Sequence, residues 1–220
     1  MQAEEALKKI RDEVRNCRAC KLCENRKNAV PGEGPATAEV MFIGEGPGFH
    51  ENEQGKPFVG QAGHLLDQLL EAAGLQRGNV YITNVVKCRP PQNRDPEPDE
   101  LATCNQFLER QIEVIKPKAI VTLGRFSMAH FVENGRIGDI HGKARLVDDQ
   151  LVVTMYHPAA ALHQPALKGT LMADFAGIRH LLENVHRSEK AEKAAPVTQK
   201  SVKTKEETPE NVTPEQLSLF

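Results

Sequence analysis

The amino-acid sequence predicts an α/β protein, a three-layer α/β/α sandwich around a central four-stranded parallel sheet. Two observations lead there. Short apolar runs bounded by turn residues alternate with segments of helical periodicity, and polar residues recur just past the ends of those runs. Taken in order, residues 3–15 place Leu7, Ile10 and Val14 on one helical face. Glu39–Gly44 (EVMFIG) reads as a buried strand. Over Ala62–Ala73, Leu65, Leu66, Leu69, Leu70 and Ala73 fall at helical spacing, and Gly74 suits the position just past that helix. Asn79–Lys87 is a second strand. Asp99 suits the cap of a helix running to about Ile115, with Pro117 beyond it. Ala119–Leu123 is a third strand with a short helix from Arg125, Leu151–Tyr156 a fourth, and Thr170–Val185 a closing helix. No internal repeat is visible.

With 220 residues, 40% of them hydrophobic, the chain suits one domain plus an extension, or two small domains. No run of about 18 apolar residues spans a membrane. The amphipathic first residues lack the apolar core of a secretory signal. A net charge of −2 argues against a protein that coats nucleic acid by charge alone, yet leaves room for a local basic cleft. Composition changes near residue 186, which sets a folded domain at 1–186. Residues 187–215 are rich in Lys, Glu, Thr, Pro, Val and Ala without an aromatic, and read as a disordered linker. The chain then ends in Gln216-Leu217-Ser218-Leu219-Phe220, an apolar tip on a polar tail.

Five cysteines without an export signal favour a metal or cluster site over disulfides. Cys17, Cys20 and Cys23 follow the C-x2-C-x2-C spacing of bacterial ferredoxins, which a remote fourth ligand would complete. The other pairing joins one C-x-x-C to Cys88 and Cys104. Four thiolates also suit zinc, although no zinc-ribbon or finger pattern is present.

Ligand sites of parallel sheets lie at the carboxyl ends of the strands. There this chain carries Glu45 within Gly44-Glu45-Gly46-Pro47-Gly48, Asn84 near the end of the second strand, and His157-Pro158 after the fourth. The three polar residues are expected to share one cleft. The glycine loop lacks the spacing of a nucleotide-binding motif. Asn84 sits where strands disfavour Asn, and its amide offers both a donor and an acceptor for reading a base edge. His157 suits the stabilisation of a developing anion. Phe58, within Gly55-Lys56-Pro57-Phe58-Val59-Gly60, is either a core residue or a stacking platform for a base.

Together these residues resemble the family 4, iron–sulfur uracil-DNA glycosylases. The resemblance runs from Cys17 to about Leu182 through Cys17-x-x-Cys20, Val30-Pro31-Gly32-Glu33-Gly34, the two glycine loops, Tyr81 to Pro91, Asn93-Arg94, Cys104 and His157-Pro158. It implies a monofunctional glycosylase that hydrolyses the N-glycosidic bond of deoxyuridine in DNA, releasing uracil and leaving an abasic site for base excision repair. It implies a [4Fe-4S] cluster on Cys17, Cys20, Cys88 and Cys104, with Cys23 spare. The base pocket carries over to Glu45, Gly46, Phe58, Asn84 and His157, with Glu45 placing water, Asn84 reading the base and His157 stabilising the anion. Glu51 is a second carboxylate on the same loop. The chain departs from the family pattern at Asn52, Ala159 and His163, and Leu162 is a candidate wedge into the gap left by a flipped base. Gln216, Leu217, Leu219 and Phe220 resemble the peptide by which bacterial repair proteins bind the DNA sliding clamp. A monomer in the cytoplasm, associated with the nucleoid, is expected. The alternatives are a broader deaminated-base glycosylase like family 5, or a non-enzymatic iron–sulfur DNA-binding module.

Overall fold

The computed structural model describes residues 1–194, with side-chain surroundings through residue 182. The elements are α1 (Gln2–Asn16), β1 (Val40–Gly44), α2 (Phe49–Gln54), α3 (Gln61–Ala72), β2 (Tyr81–Asn84), α4 (Pro98–Ile115), β3 (Ala119–Leu123), α5 (Arg125–Phe131), α6 (Ile137–Ile140), β4 (Ala144–Val147), β5 (Gln150–Met155), α7 (Pro158–His163) and α8 (Leu167–Ala194).

Alternation within β1, which is buried along its whole length, sets the layers. Val40 and Phe42 pack with Leu66 and Leu69 of α3 and Phe175 of α8. Met41 and Ile43 face the opposite side, against Leu7 of α1, Leu108 of α4 and Ile120 of β3. Helices therefore cover both faces of the sheet. Burying each such side chain is worth about 1.5–3 kcal/mol. On the first face the rings of Phe42 and Phe175 stack with centroids 6.0 Å apart.

The sheet has five strands, in the order β2-β1-β3-β5-β4, where the sequence predicts four. β2, β1, β3 and β5 are parallel, as expected, and β4 adds an antiparallel edge. β4 escapes sequence reading because none of its residues is buried. Its hairpin also lacks a glycine. The two linking residues, Asp148 and Asp149, both adopt left-handed backbone, with φ of 47° and 64°, which fits the type I′ turn that Asn-Gly usually marks.

Two predicted boundaries move. Asp99 lies in the first turn of α4 rather than at its cap. Glu97 is the cap, with Pro98 in the first position, and the Glu100 carboxylate accepts the Glu97 N–H at 2.8 Å. α8 continues to Ala194, so the boundary at residue 186 falls inside a helix. Arg187–Ala194 is composed largely of strong helix formers, and a lack of core residues does not forbid a helix. The remainder of the linker, 195–215, and the 216–220 peptide lie outside the described residues.

α3 packs directly beneath the loop that carries Phe58. A Cβ on Gly63 would lie 2.0 Å from the Phe58 carbonyl oxygen, closer than any carbon tolerates. Gly63→Ala should therefore lower stability by about 1–3 kcal/mol. Urea denaturation measures this directly, and an unchanged midpoint would contradict the close approach.

Candidate active site

The parallel register of β1 and β2 pairs Gly44 with Asn84 at the carboxyl edge of the sheet. Asn84 is buried, and its Oδ1 is the buried side-chain polar atom that lacks a hydrogen-bond partner among the described residues. A buried acceptor left unpaired costs about 1–3 kcal/mol. Gly44 is what lets this amide approach the Phe58 ring. A Cβ there would meet Asn84 Oδ1 at 2.4 Å and the ring at 2.7 Å.

Phe58 is buried and stacks on the His157 imidazole, with centroids 5.5 Å apart and planes at 28°. His157 caps α7, and its Nδ1 accepts the Ala159 N–H at 3.1 Å. In the neutral ring the proton then resides on Nε2, which is left as a donor. Burial pushes the His157 pKa down to about 4, while the negative charge of Glu51 opposes that shift. Glu45 follows β1 directly and is half-buried. Burial raises its carboxyl pKa, the negative charge of Asp95 adds to the rise, and Arg125 opposes it. Asp95 and Arg125 are themselves ion-paired. Asn84, Phe58 and His157 thus lie together, and Glu45 follows Gly44 on the same carboxyl rim.

The Phe58 loop is held from two sides. Glu51 Oε1 accepts the N–H groups of Val59 at 2.8 Å and Gly60 at 2.9 Å. Arg77 Nη2 donates to the Pro57 carbonyl at 2.6 Å. Between these anchors Phe58 takes a left-handed backbone, φ 51°, a costly conformation for a bulky residue that only a well-supported loop maintains. Glu51 therefore acts here as a loop anchor. Asn52 likewise accepts the Lys27 N–H at 2.9 Å, a bond an amide oxygen makes as readily as a carboxylate. Arg125, Asp95 and Arg77 escape sequence reading. For Arg125 a signal exists, since it follows β3 on the same carboxyl rim as Glu45 and His157.

A small cavity of about 10 Å³ is lined by Cys17, Cys20, Cys23, Cys88 and Cys104, together with Val14 and Phe107. Cys17, Cys20, Cys88 and Cys104 also pack into the apolar cluster around it, formed by Ile10, Val14 and Phe107. Two groups donate to sulfur: Arg26 Nη1 to Cys88 Sγ at 3.0 Å, and the Lys87 backbone N–H to Cys104 Sγ at 3.3 Å. Burial raises the thiol pKa values of Cys20, Cys88 and Cys104, the last to about 11. Such sulfurs become thiolates only beside a strong positive charge. Among the described residues no group of three His, Cys, Asp or Glu side chains is arranged to hold a single metal ion. The Lys87 ammonium is buried and donates at 2.7 Å to Thr83 Oγ1, to the Asn84 carbonyl and to Gln111 Oε1. Burial lowers its pKa to about 8, and Cys104 opposes that shift.

The family profile of the uracil DNA glycosylase superfamily matches residues 31–176, from the Val30-Pro31 segment into α8. The chain belongs to the uracil-DNA glycosylase superfamily. Within it the similarity is to type-4 members. A type-4 uracil-DNA glycosylase from Sulfurisphaera tokodaii is 50% identical over 187 residues, 80% of this chain and 85% of the relative. One from Saccharolobus solfataricus is 50% identical over 185 residues, 80% of this chain and 86% of the relative. A type-5 uracil-DNA glycosylase from Thermus thermophilus is 32% identical over 157 residues, covering 54% of this chain and 71% of the relative.

The burial of His157 has a measurable consequence. Its folded pKa of about 4 lies below the ordinary value near 6.5, so the unfolded chain binds this proton more readily. The stability it contributes is present above about pH 6.5 and is lost as pH falls toward 4. An NMR titration should find the imidazole neutral down to about pH 4. A transition near 6.5 would contradict its burial.

Proposed function

We propose that the chain hydrolyses the N-glycosidic bond of deoxyuridine in DNA, in base excision repair, with Glu45, Asn84, Phe58 and His157 as its working residues. The observation that supports this reading most directly is the unpartnered Asn84 Oδ1 beside Phe58. A uracil flipped out of the stack offers N3–H to that oxygen and O4 to the amide N–H, while Phe58 covers the ring face. Cytosine places an amino group at position 4 and a bare nitrogen at position 3, which leaves both amide atoms mispaired.

Cleavage of C1′–N1 puts positive charge on the sugar and negative charge on the uracil. Neutral His157 donates Nε2–H to O2 of the departing base, a preorganised donor at developing charge. Glu45 orients a water and accepts its proton as the oxygen bonds to C1′. The raised pKa of its carboxyl keeps it basic enough for that task. No lysine is assigned as a nucleophile, so the product is an abasic site in an unbroken strand.

Cys17, Cys20, Cys88 and Cys104 are suited to hold a [4Fe-4S] cluster, given their shared cavity and the N–H groups on two of the sulfurs. The cluster would cross-link the end of α1 to the segment after β2 and to α4, and it takes no part in bond cleavage. Cys23 lines the cavity but is not needed as a ligand. The Gln216–Phe220 peptide is assigned to the sliding clamp, with Leu219 and Phe220 filling an apolar pocket and Gln216 hydrogen-bonding beside it. Tethering of that kind raises enzyme concentration on DNA without any new contact to uracil. These assignments fit a monomer acting at the nucleoid.

Incubating the protein with a uracil-containing oligonucleotide and then alkali tests the activity, and no strand scission would refute it. Glu45→Gln should slow excision about 10²-fold or more and remove the acid limb of the pH–rate profile, which lies above the usual carboxylate range. Metal analysis should find iron in the wild type and in Cys23→Ser but little in Cys88→Ser, and zinc instead would overturn the cluster. Removing residues 216–220 should abolish clamp binding and spare excision on short oligonucleotides.

A further inference from the structure

Few large apolar side chains are exposed among the described residues, and they are Met1, Phe49, Leu146 and Leu162. Phe49 and Leu162 lie on segments that follow β1 and β5 at the carboxyl edge of the sheet. Phe49 is 54% exposed, too open to serve the core. The Arg89 guanidinium sits over its ring at 5.3 Å from the centroid, and His50 meets it edge-on at 5.4 Å. Arg89 Nε donates to Asn93 Oδ1 at 2.8 Å, and its two terminal nitrogens have no protein partner among the described residues. The other arginines of this rim are committed, Arg94 to Glu100 and Arg125 to Asp95.

The loop that presents Arg89 is stiff and strained. Pro90 and Pro91 limit its backbone, and Gln92 and Asn93 both hold left-handed backbone at φ 55°. Consecutive conformations of this kind cost free energy and persist where the presentation of a side chain matters. The loop also abuts the cleft, because a Cβ on Gly46 would lie 2.8 Å from Val86 and 3.7 Å from Pro90.

We infer that Phe49 and Arg89 form a second contact for the DNA strand, holding a nucleotide that flanks the flipped uracil. An unpaired base stacks on the Phe49 ring beside the guanidinium plane, and the terminal nitrogens of Arg89 take its phosphate. An aromatic ring with an arginine already fixed over it loses little side-chain entropy on binding. The inference rests on the reading of the chain as a DNA glycosylase, yet its test does not need uracil.

The chain contains no tryptophan, so Phe49→Trp introduces a single indole reporter. Titrating this variant with a uracil-free single-stranded oligonucleotide should quench its fluorescence while retaining wild-type affinity. Leu146→Trp, on the edge hairpin, should show no quenching. Phe49→Ala should weaken binding of the same oligonucleotide at least about five-fold without changing its salt dependence. Arg89→Ala should reduce the slope of log affinity against log salt by about 0.7, the release of one counterion. No quenching of the Phe49→Trp indole upon saturation, or wild-type affinity in Phe49→Ala with unaltered thermal melting, would overturn the inference. Either result would stand even if the wild type excises uracil. Absence of excision by the wild type would instead count against the glycosylase reading itself.

Discussion

The in-register parallel pairing of β1 with β2 is the constraint on which the site depends. It sets Gly44 opposite Asn84 at the carboxyl edge, and only the missing side chain of Gly44 lets the amide and the Phe58 ring occupy one space. Glu45 is the residue directly after β1, so the same strand end carries the carboxylate. β5, two strands away, delivers His157 to the same rim. A slip of one residue in the first pair would turn Asn84 to the other face of the sheet, away from the Phe58 ring.

Around that constraint the protein gives up local stability. Phe58 is held left-handed by Glu51 and Arg77, and Asn84 keeps an acceptor unpaired in a buried position. His157 is kept neutral by its surroundings, with its tautomer set by one backbone N–H. On the proposed reading an entering uracil would offset one of these costs, because its N3–H supplies the donor that Asn84 Oδ1 lacks.

Much of this is legible in the sequence, and the reasons are physical. The parallel strands are buried on both faces, so they write themselves as apolar runs such as VMFIG and AIVTL. Residues following such runs fall on one rim, which is why Glu45, Asn84 and His157 group together from their positions in the chain alone. What stays hidden depends on contacts between distant positions or on partial exposure. β4 is half-solvated and turns on two aspartates. Arg77 reaches Pro57 across the fold, and Asp95 reaches Arg125. Glu51 reads as a second carboxylate of the site because sequence shows its charge and not the two backbone amides it serves.

Lys87 links two regions that are otherwise separate. Its backbone N–H points to Cys104 and its ammonium holds the carbonyl of Asn84, so the cysteine cavity and the Asn84 cleft share one residue. A substitution there must satisfy a sulfur-rich neighbourhood and a polar one at the same time. A displacement of Lys87 that begins in either region is therefore carried into the other by a single residue.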